Sequence, residues 1–296
     1  MDTAEELGPI LAAVTPALPS ADRNADALVL DVGWDCLVLR IGATVVRVAR
    51  HQPGRRRQEL EVRLLPALAG RLPAAVPGPL TELESGPALP FGAVTYPFIP
   101  GRPMKPGDEG TWPSLAGDLA HLLASVHGTP VARATAAGIP LWTAVERMPA
   151  LRGSTDATLA AELTAKEREA FGRAWDGAAA TLALHPPASV LCHGDPWYDN
   201  LLIDEASGRI AAVLDFGQAV VADDALDLAA VYHMGDGFGD AVVAGYQDRR
   251  GRDPSLAARI AAHRLIREVA GLADALDSSP DEIPDQLSRI KALLTL

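Results

Sequence analysis

A chain of 296 residues, 48% of them hydrophobic, can bury a core large enough for two lobes or domains. Its formal net charge of −12 argues against a nucleic-acid partner, which needs clustered Lys and Arg, and its two cysteines, Cys36 and Cys192, lie in no metal or redox spacing, which argues against zinc and fits a reducing compartment. No apolar run approaches the roughly 20 residues of a membrane span, and the acidic start Met1-Asp2-Thr3-Ala4-Glu5-Glu6 lacks the positive charge of a secretory signal, so a cytoplasmic protein without a membrane partner is expected.

In chain order, Leu28–Arg50 reads as strand, Gly-containing turn and strand, because Val, Leu and Ile cluster around Gly33 and Gly42. Arg57–Leu68 then reads as a helix with Glu61, Leu64, Leu65 and Leu68 on one face. A charge at Glu61, on an apolar face, needs a reason; Glu59 falls on the opposite, solvated face. Phe91–Ile99 returns to strand character. Ser114–Val126 is an amphipathic helix with Leu115, Leu119, Leu122, Leu123 and Val126 inward and Gly128 as its C-terminal cap. His121 and His127, on or beside it, read as structural. From there the chain is mostly helical, with one exception.

The exception lies between Val190 and Gly217. Leu201-Leu202-Ile203 and Ile210–Leu214 flank the polar stretch Asp204–Arg209, which predicts a β-hairpin turning at Ser207-Gly208. The outer ends of an antiparallel hairpin meet, so Asn200 is expected near Asp215. Phosphoryl transfer needs hard oxygen ligands for Mg²⁺ and a carboxylate to accept the proton of an attacking hydroxyl. Asn200 and Asp215 offer the first, and Asp195, five residues before Asn200, offers a second carboxylate beside them.

His193-Gly194-Asp195 with Asn200, followed by Asp215-Phe216-Gly217, resembles the catalytic loop and metal motif of the aminoglycoside phosphotransferase family, whose enzymes are similar in fold to protein kinases. The run Asp223-Asp224-Ala225-Leu226-Asp227 resembles the acidic segment that follows. The resemblance implies an α+β, two-lobed protein-kinase-like fold, with an antiparallel-sheet N-lobe over 1–97 and a mostly helical C-lobe over 98–296. It implies that Asp195 is the catalytic base, that His193 orients its loop, that Asn200 and Asp215 bind Mg²⁺, and that Asp223 and Asp227 brace the region. ATP or GTP would be the phosphoryl donor.

The nucleotide site is expected in the N-terminal part. Gly33-Trp34-Asp35-Cys36, between two strands, permits close backbone approach to phosphates. Val45-Val46-Arg47-Val48 resembles the strand that follows, with Arg47 where protein kinases place Lys; Glu61 would be its ion-pair partner. Tyr96-Pro97-Phe98-Ile99-Pro100-Gly101 resembles the inter-lobe hinge, its Tyr-Pro pair that of the macrolide phosphotransferase branch. Pro97 and Pro100 carry no N–H, so a purine finds a donor only on Phe98, Ile99 or Gly101; Ile99 is favoured, with Pro97 supplying its carbonyl.

Trp197, Tyr198, Asp199, Tyr232, His233 and Asp236 are candidates for lining an acceptor pocket. From His185 onward 18 Asp and Glu stand against 9 Lys and Arg, which suggests attraction of a basic amine as well as plain solubility. The expected function is Mg-dependent transfer to a hydroxyl of an antibiotic, macrolide or aminoglycoside-like, conferring resistance. A metabolite kinase acting on choline, a sugar or an amino alcohol keeps the same chemistry. A nucleotide-binding pseudokinase, suggested by Arg47, is the non-enzyme alternative.

Overall fold

The computed structural model describes residues 3–111, 114–186 and 188–294. In chain order these form α1 (Thr3–Val14), β1 (Ala27–Val32), β2 (Cys36–Ile41), β3 (Thr44–Ala49), α2 (Gln52–Leu68), β4 (Thr81–Leu83), β5 (Ala93–Pro97), β6 (Arg102–Pro103), α3 (Asp108–Thr111), α4 (Ser114–His127) and α5 (Val131–Ala136). There follow α6 (Ala144–Glu162), α7 (Ala165–Leu184), β7 (Val190–Cys192), β8 (Leu201–Asp204), β9 (Arg209–Val213), β10 (Val220–Ala222), α8 (Ala225–Ala230), α9 (Asp236–Arg250), α10 (Leu256–Ser278) and α11 (Ile283–Ala292). No helix of the described residues is long and apolar enough to cross a membrane. The chain divides into two compact units. One holds the chain up to Asp118 together with Ala132–Ile139 and Tyr198–Ala219; the other holds Leu119–Val131, Pro140–Trp197 and the chain from Val220 on.

The first unit is built on an antiparallel sheet in the order β1-β2-β3-β5-β4. The stretch Leu28–Arg50 holds three strands, because Gly33 and Gly42 each end one. Gly42 takes a left-handed φ of 59°. There the β2–β3 turn closes on Asp22, whose carboxylate accepts the Thr44 hydroxyl at 2.7 Å and the Ala43 N–H at 3.1 Å. Central β3 is buried at every position, as expected of a strand covered on both faces. Val46 and Val48 join Val14, Leu18, Leu39 and Ile41 in a core, while α2 buries Glu61, Leu64, Leu65 and Leu68, the face its periodicity predicted.

The same unit contains the sheet β6-β8-β9. The hairpin β8–β9 pairs Leu201 with Val213 and turns through Gly208, at φ 65°, whose N–H donates to the Asp204 carbonyl at 2.8 Å. The predicted turn residues therefore make the turn.

The second unit is helical around α10, which buries Ile260, Leu265, Ile266, Val269 and Leu272 and packs on α6, α7, α8 and α11. A two-stranded ladder, β7 with β10, pairs Cys192 with Val220. Leu119, Leu122, Leu123 and Val126 of α4 are buried as expected. Gly128 caps α4 without the left-handed conformation common at helix C-termini. Its N–H closes the last turn of α4 on the Ala124 carbonyl at 3.0 Å, yet it is absent from the positive-φ glycines. Close approach explains the residue instead, since a Cβ there would stand 3.2 Å from that carbonyl oxygen.

Candidate active site

Arg47 is the one charged residue on buried β3. Its Nη1 donates to Glu61 Oε2 at 2.6 Å, and its Nη2 lies 3.6 Å from Asp215 Oδ1. The other Glu61 oxygen accepts the Phe216 N–H at 2.9 Å. Gln58, one turn earlier on the same face of α2, donates to the Arg47 carbonyl at 3.1 Å. Burial pushes the Glu61 carboxyl up, to about 7, against the pull of Arg47. For Arg47 burial acts downward, but Glu61 and Asp215 raise it well above its ordinary value. These two tendencies disagree about the pair. The short contact to Arg47 and the N–H from Phe216 both stabilise the anion, so the ionised pair is the state the geometry supports. Glu59, by contrast, is partly exposed and pairs with Arg55 one turn away.

Asp215 adopts φ 58°, ψ 69°, the left-handed region, at a cost of about 1–2 kcal/mol for a residue with a Cβ. Its carboxylate accepts the Gly217 N–H at 3.2 Å and its side chain is 42% exposed. The Leu214 N–H donates to the Asn200 carbonyl at 2.8 Å, so the hairpin register sets Asn200 opposite the neighbour of Asp215. One carboxylate and one amide are thus offered at a single hairpin end. Both are hard oxygen donors, which fits Mg²⁺ completed by phosphate oxygens and water.

Gly33, Trp34 and Asp35 form the β1–β2 turn, where the Gly33 N–H donates to the Cys36 carbonyl at 3.0 Å. Trp34 is 68% exposed. The Asp35 carboxylate is already engaged by Arg57, with His51 Nε2 3.4 Å away, so it braces the turn. In the hinge segment Tyr96 is buried, and burial pushes its hydroxyl up to about 12. The Phe98 N–H donates to the Ala43 carbonyl at 2.7 Å, which removes Phe98 from the three backbone donors considered above. Ile99 and Gly101 remain. Pro97 closes the β5 ladder opposite Thr44.

In the helical unit, His193 and Gly194 follow β7, with Gly194 at φ 90°. Their N–H groups both donate to Asp227, at 2.8 Å each. Asp227 is fully buried and also meets His127 Nε2 at 3.0 Å, while His127 Nδ1 meets the Tyr246 hydroxyl at 2.9 Å. Burial alone would push the Asp227 carboxyl up, but His127, His193 and Gly194 hold it below the usual range. His127, Cys192 and Asp227 stand close enough to suggest a metal. Both His127 nitrogens are engaged, however, and burial drives the Cys192 thiol well up, so the group reads as a hydrogen-bonded bracket. It brackets the candidate catalytic loop: His193 Nδ1 accepts the Asp195 N–H at 3.2 Å, and the Asp195 carbonyl accepts from the Trp197 N–H at 2.9 Å.

Sequence reasoning missed what faces this loop from α10. Arg267 Nη2 donates to Asp195 Oδ1 at 2.7 Å. Glu268, buried, pairs with His233, whose ring meets Trp197 edge-on at 5.8 Å. Arg264 pairs with Asp236 at 2.9 Å and stands 4.5 Å over the Tyr232 ring, and the Tyr232 hydroxyl donates to Asp240. Trp197, Tyr232, His233 and Asp236 are therefore all tied to α10. Asp236, read above as a candidate for the acceptor pocket, already holds a guanidinium. Tyr198 and Asp199 begin the other unit's turn before β8; Tyr198 is buried beside Glu109 and Asp199 is exposed. Charged residues on the buried side of α10 were the available signal, of the same kind that singled out Glu61.

A model of the phosphotransferase enzyme family, APH, matches residues 27–263. The chain belongs to this family. Among solved structures, this phosphotransferase resembles the GDP and kanamycin complex of the aminoglycoside phosphotransferase APH(2")-IIia, at 19% identity and a TM-score of 0.82, over 96% of this chain and 97% of that one. It is also similar to the macrolide 2'-phosphotransferase MphH from Brachybacterium faecium, at 24% identity and a TM-score of 0.69, covering 96% and 97%. A choline/ethanolamine kinase family protein from Mesorhizobium loti matches at 19% and 0.72, covering 97% and 94%. No curated protein matches the chain. At these identities the structural likeness establishes a shared fold: α+β, kinase-like, with an antiparallel sheet early and helices dominating the rest.

Proposed function

We propose that this phosphotransferase moves the γ-phosphoryl group of ATP or GTP to a hydroxyl of an antibiotic, macrolide or aminoglycoside-like, and does so as a cytoplasmic resistance enzyme. The observation that carries the reading is the hairpin register beside the Arg47–Glu61 pair, which brings Asn200 to the neighbour of a left-handed Asp215. Asn200 and Asp215 would hold Mg²⁺, which when bound neutralises charge on the phosphate oxygens. Arg47, held by Glu61, would face the phosphates; Gly33, Trp34 and Asp35 would form the turn over them. Ile99, rather than Phe98, would donate to the purine edge near Tyr96 and Pro97.

Asp195 accepts the proton of the acceptor hydroxyl as that oxygen bonds to the γ-phosphorus. The bond from phosphorus to the bridging oxygen breaks, and its electron pair leaves with the nucleoside diphosphate. His193 fixes the backbone of the base through its ring nitrogen. Trp197, Tyr232 and His233 would line the acceptor side. Arg264 and Arg267 offset Asp236 and Asp195 there, which favours an acceptor with a single amine, such as a macrolide, over a polycationic aminoglycoside.

The test is diphosphate release with Mg·ATP and Mg·GTP across macrolides, aminoglycosides and small alcohols. Turnover with an antibiotic at low concentration supports the reading. Turnover confined to choline, a sugar or an amino alcohol transfers the assignment to a metabolite kinase, and tight nucleotide binding without transfer to any acceptor indicates a pseudokinase.

A further inference from the structure

The catalytic loop is held twice. The Asp227 bracket fixes its backbone at His193 and Gly194. A second clamp comes from α10, the helix that four others pack against: Arg267 takes the Asp195 carboxylate, and Glu268 takes His233, which meets Trp197. The two clamping residues are adjacent on one helix and reach loop positions two residues apart. Backbone fixation leaves an aspartate side chain undetermined, because χ2 of a carboxylate is a broad, roughly two-fold torsion. A charged N–H donor on one carboxylate oxygen removes that freedom, since the hydrogen bond fixes the direction in which that oxygen points. For stability alone the pair has little value, its side chains being 25% and 38% open to solvent.

We propose that Arg267 is a positioning residue for phosphoryl transfer, holding the Asp195 carboxylate from the fixed frame of α10 in the orientation that meets the acceptor hydroxyl. The inference rests on the reading of Asp195 as the base. It assigns Arg267 no contact with nucleotide or acceptor, and so separates orientation from binding.

Arg267→Met keeps the length of the side chain and removes the donor. It is expected to lower kcat by about 100-fold, the scale of a misplaced reacting group, while nucleotide affinity, both KM values and Tm stay near those of the unaltered enzyme. Arg267→Lys should recover most of kcat, because one donor to Asp195 returns. Arg173→Met, an exposed charge on α7 paired with Glu169, should leave kcat unchanged and so controls for lost positive charge. Slow hydrolysis of the nucleotide by water should fall in parallel in Arg267→Met. The proposal is overturned by an unchanged kcat, by a rise confined to acceptor KM, by hydrolysis that persists while transfer falls, or by Arg267→Lys as impaired as Arg267→Met. An unaltered enzyme that transfers to no acceptor defeats the phosphotransferase reading itself, and the hydrolysis arm then still decides the role of Arg267.

Discussion

Two charged networks stand beside the candidate catalytic motifs, and they are built differently. Around Asp227 the groups are wholly buried, each nitrogen of His127 has a partner, and two backbone N–H groups converge on one carboxylate. Around Arg47 the inner end is as deeply buried, but the outer end, Asp215, is 42% exposed and sits in a left-handed conformation. A fully satisfied buried network is rigid, because losing any member leaves a buried polar group unpaired. A network with one exposed carboxylate 3.6 Å from its cation can exchange that contact for another. The first suits a frame, and the second suits a place where ligands come and go.

Substitutions can break this contrast, and Asp195, the proposed base, should give the largest effect. Asp195→Asn is expected to lose about 10²–10⁴-fold in kcat, the range for a general base, with nucleotide affinity retained in a binding titration. Retention of turnover within about tenfold, 1.4 kcal/mol of barrier, removes Asp195 from that role. Next comes the frame. Asp227→Ala leaves the His193 and Gly194 N–H groups and His127 without their acceptor, so urea unfolding should show a loss of about 3–5 kcal/mol; a loss below about 1 kcal/mol, one ordinary hydrogen bond, contradicts the frame reading.

At the other network the expected effect is smaller and falls on activity. Arg47→Lys can satisfy Glu61 or reach toward Asp215, but one ammonium cannot reproduce the fork. A drop of about tenfold in kcat/KM for nucleotide is expected, with little change in Tm. Equal activity would show that a point charge suffices. The smallest effect concerns acid stability. The Ser255 hydroxyl, then the Ser255 N–H and Arg259, hold the Asp253 carboxyl down to about 2 from an ordinary 3.8. A depressed carboxyl contributes stability that is complete above 3.8 and is lost as pH falls toward about 2. Over that window Tm should fall less steeply in Asp253→Asn than in the unaltered chain; identical slopes would remove Asp253 from the acid response.

The sheet network was legible in the sequence for a physical reason. A carboxylate on an apolar helix face and an arginine inside an apolar strand each demand a partner, and Glu61 and Arg47 are 14 residues apart. The hairpin was equally legible, since two apolar runs around Ser207-Gly208 leave few other folds. Arg267 and Glu268 were not singled out, because their partners lie 72 and 35 residues away and depend on how α10 packs. The loss of Phe98 as a donor was hidden likewise, for it follows from the register of β5 on β3 rather than from local composition. The acidic count after His185 could not say where the excess lies, because Asp195, Asp223, Asp224, Asp236 and Asp253 share Arg259, Arg264 and Arg267 through contacts that only the fold sets.

The left-handed backbone of Asp215 also bears on how descendants of this chain would diverge. Glycine adopts that conformation at no steric cost and asparagine at little, so folding alone would tolerate either there, and glycine would relieve the strain. Aspartate persists against that drift only while its second carboxylate oxygen has a use. A lineage that had given up turnover would be expected to slide to glycine or asparagine at this one position early, before its core or its helices changed.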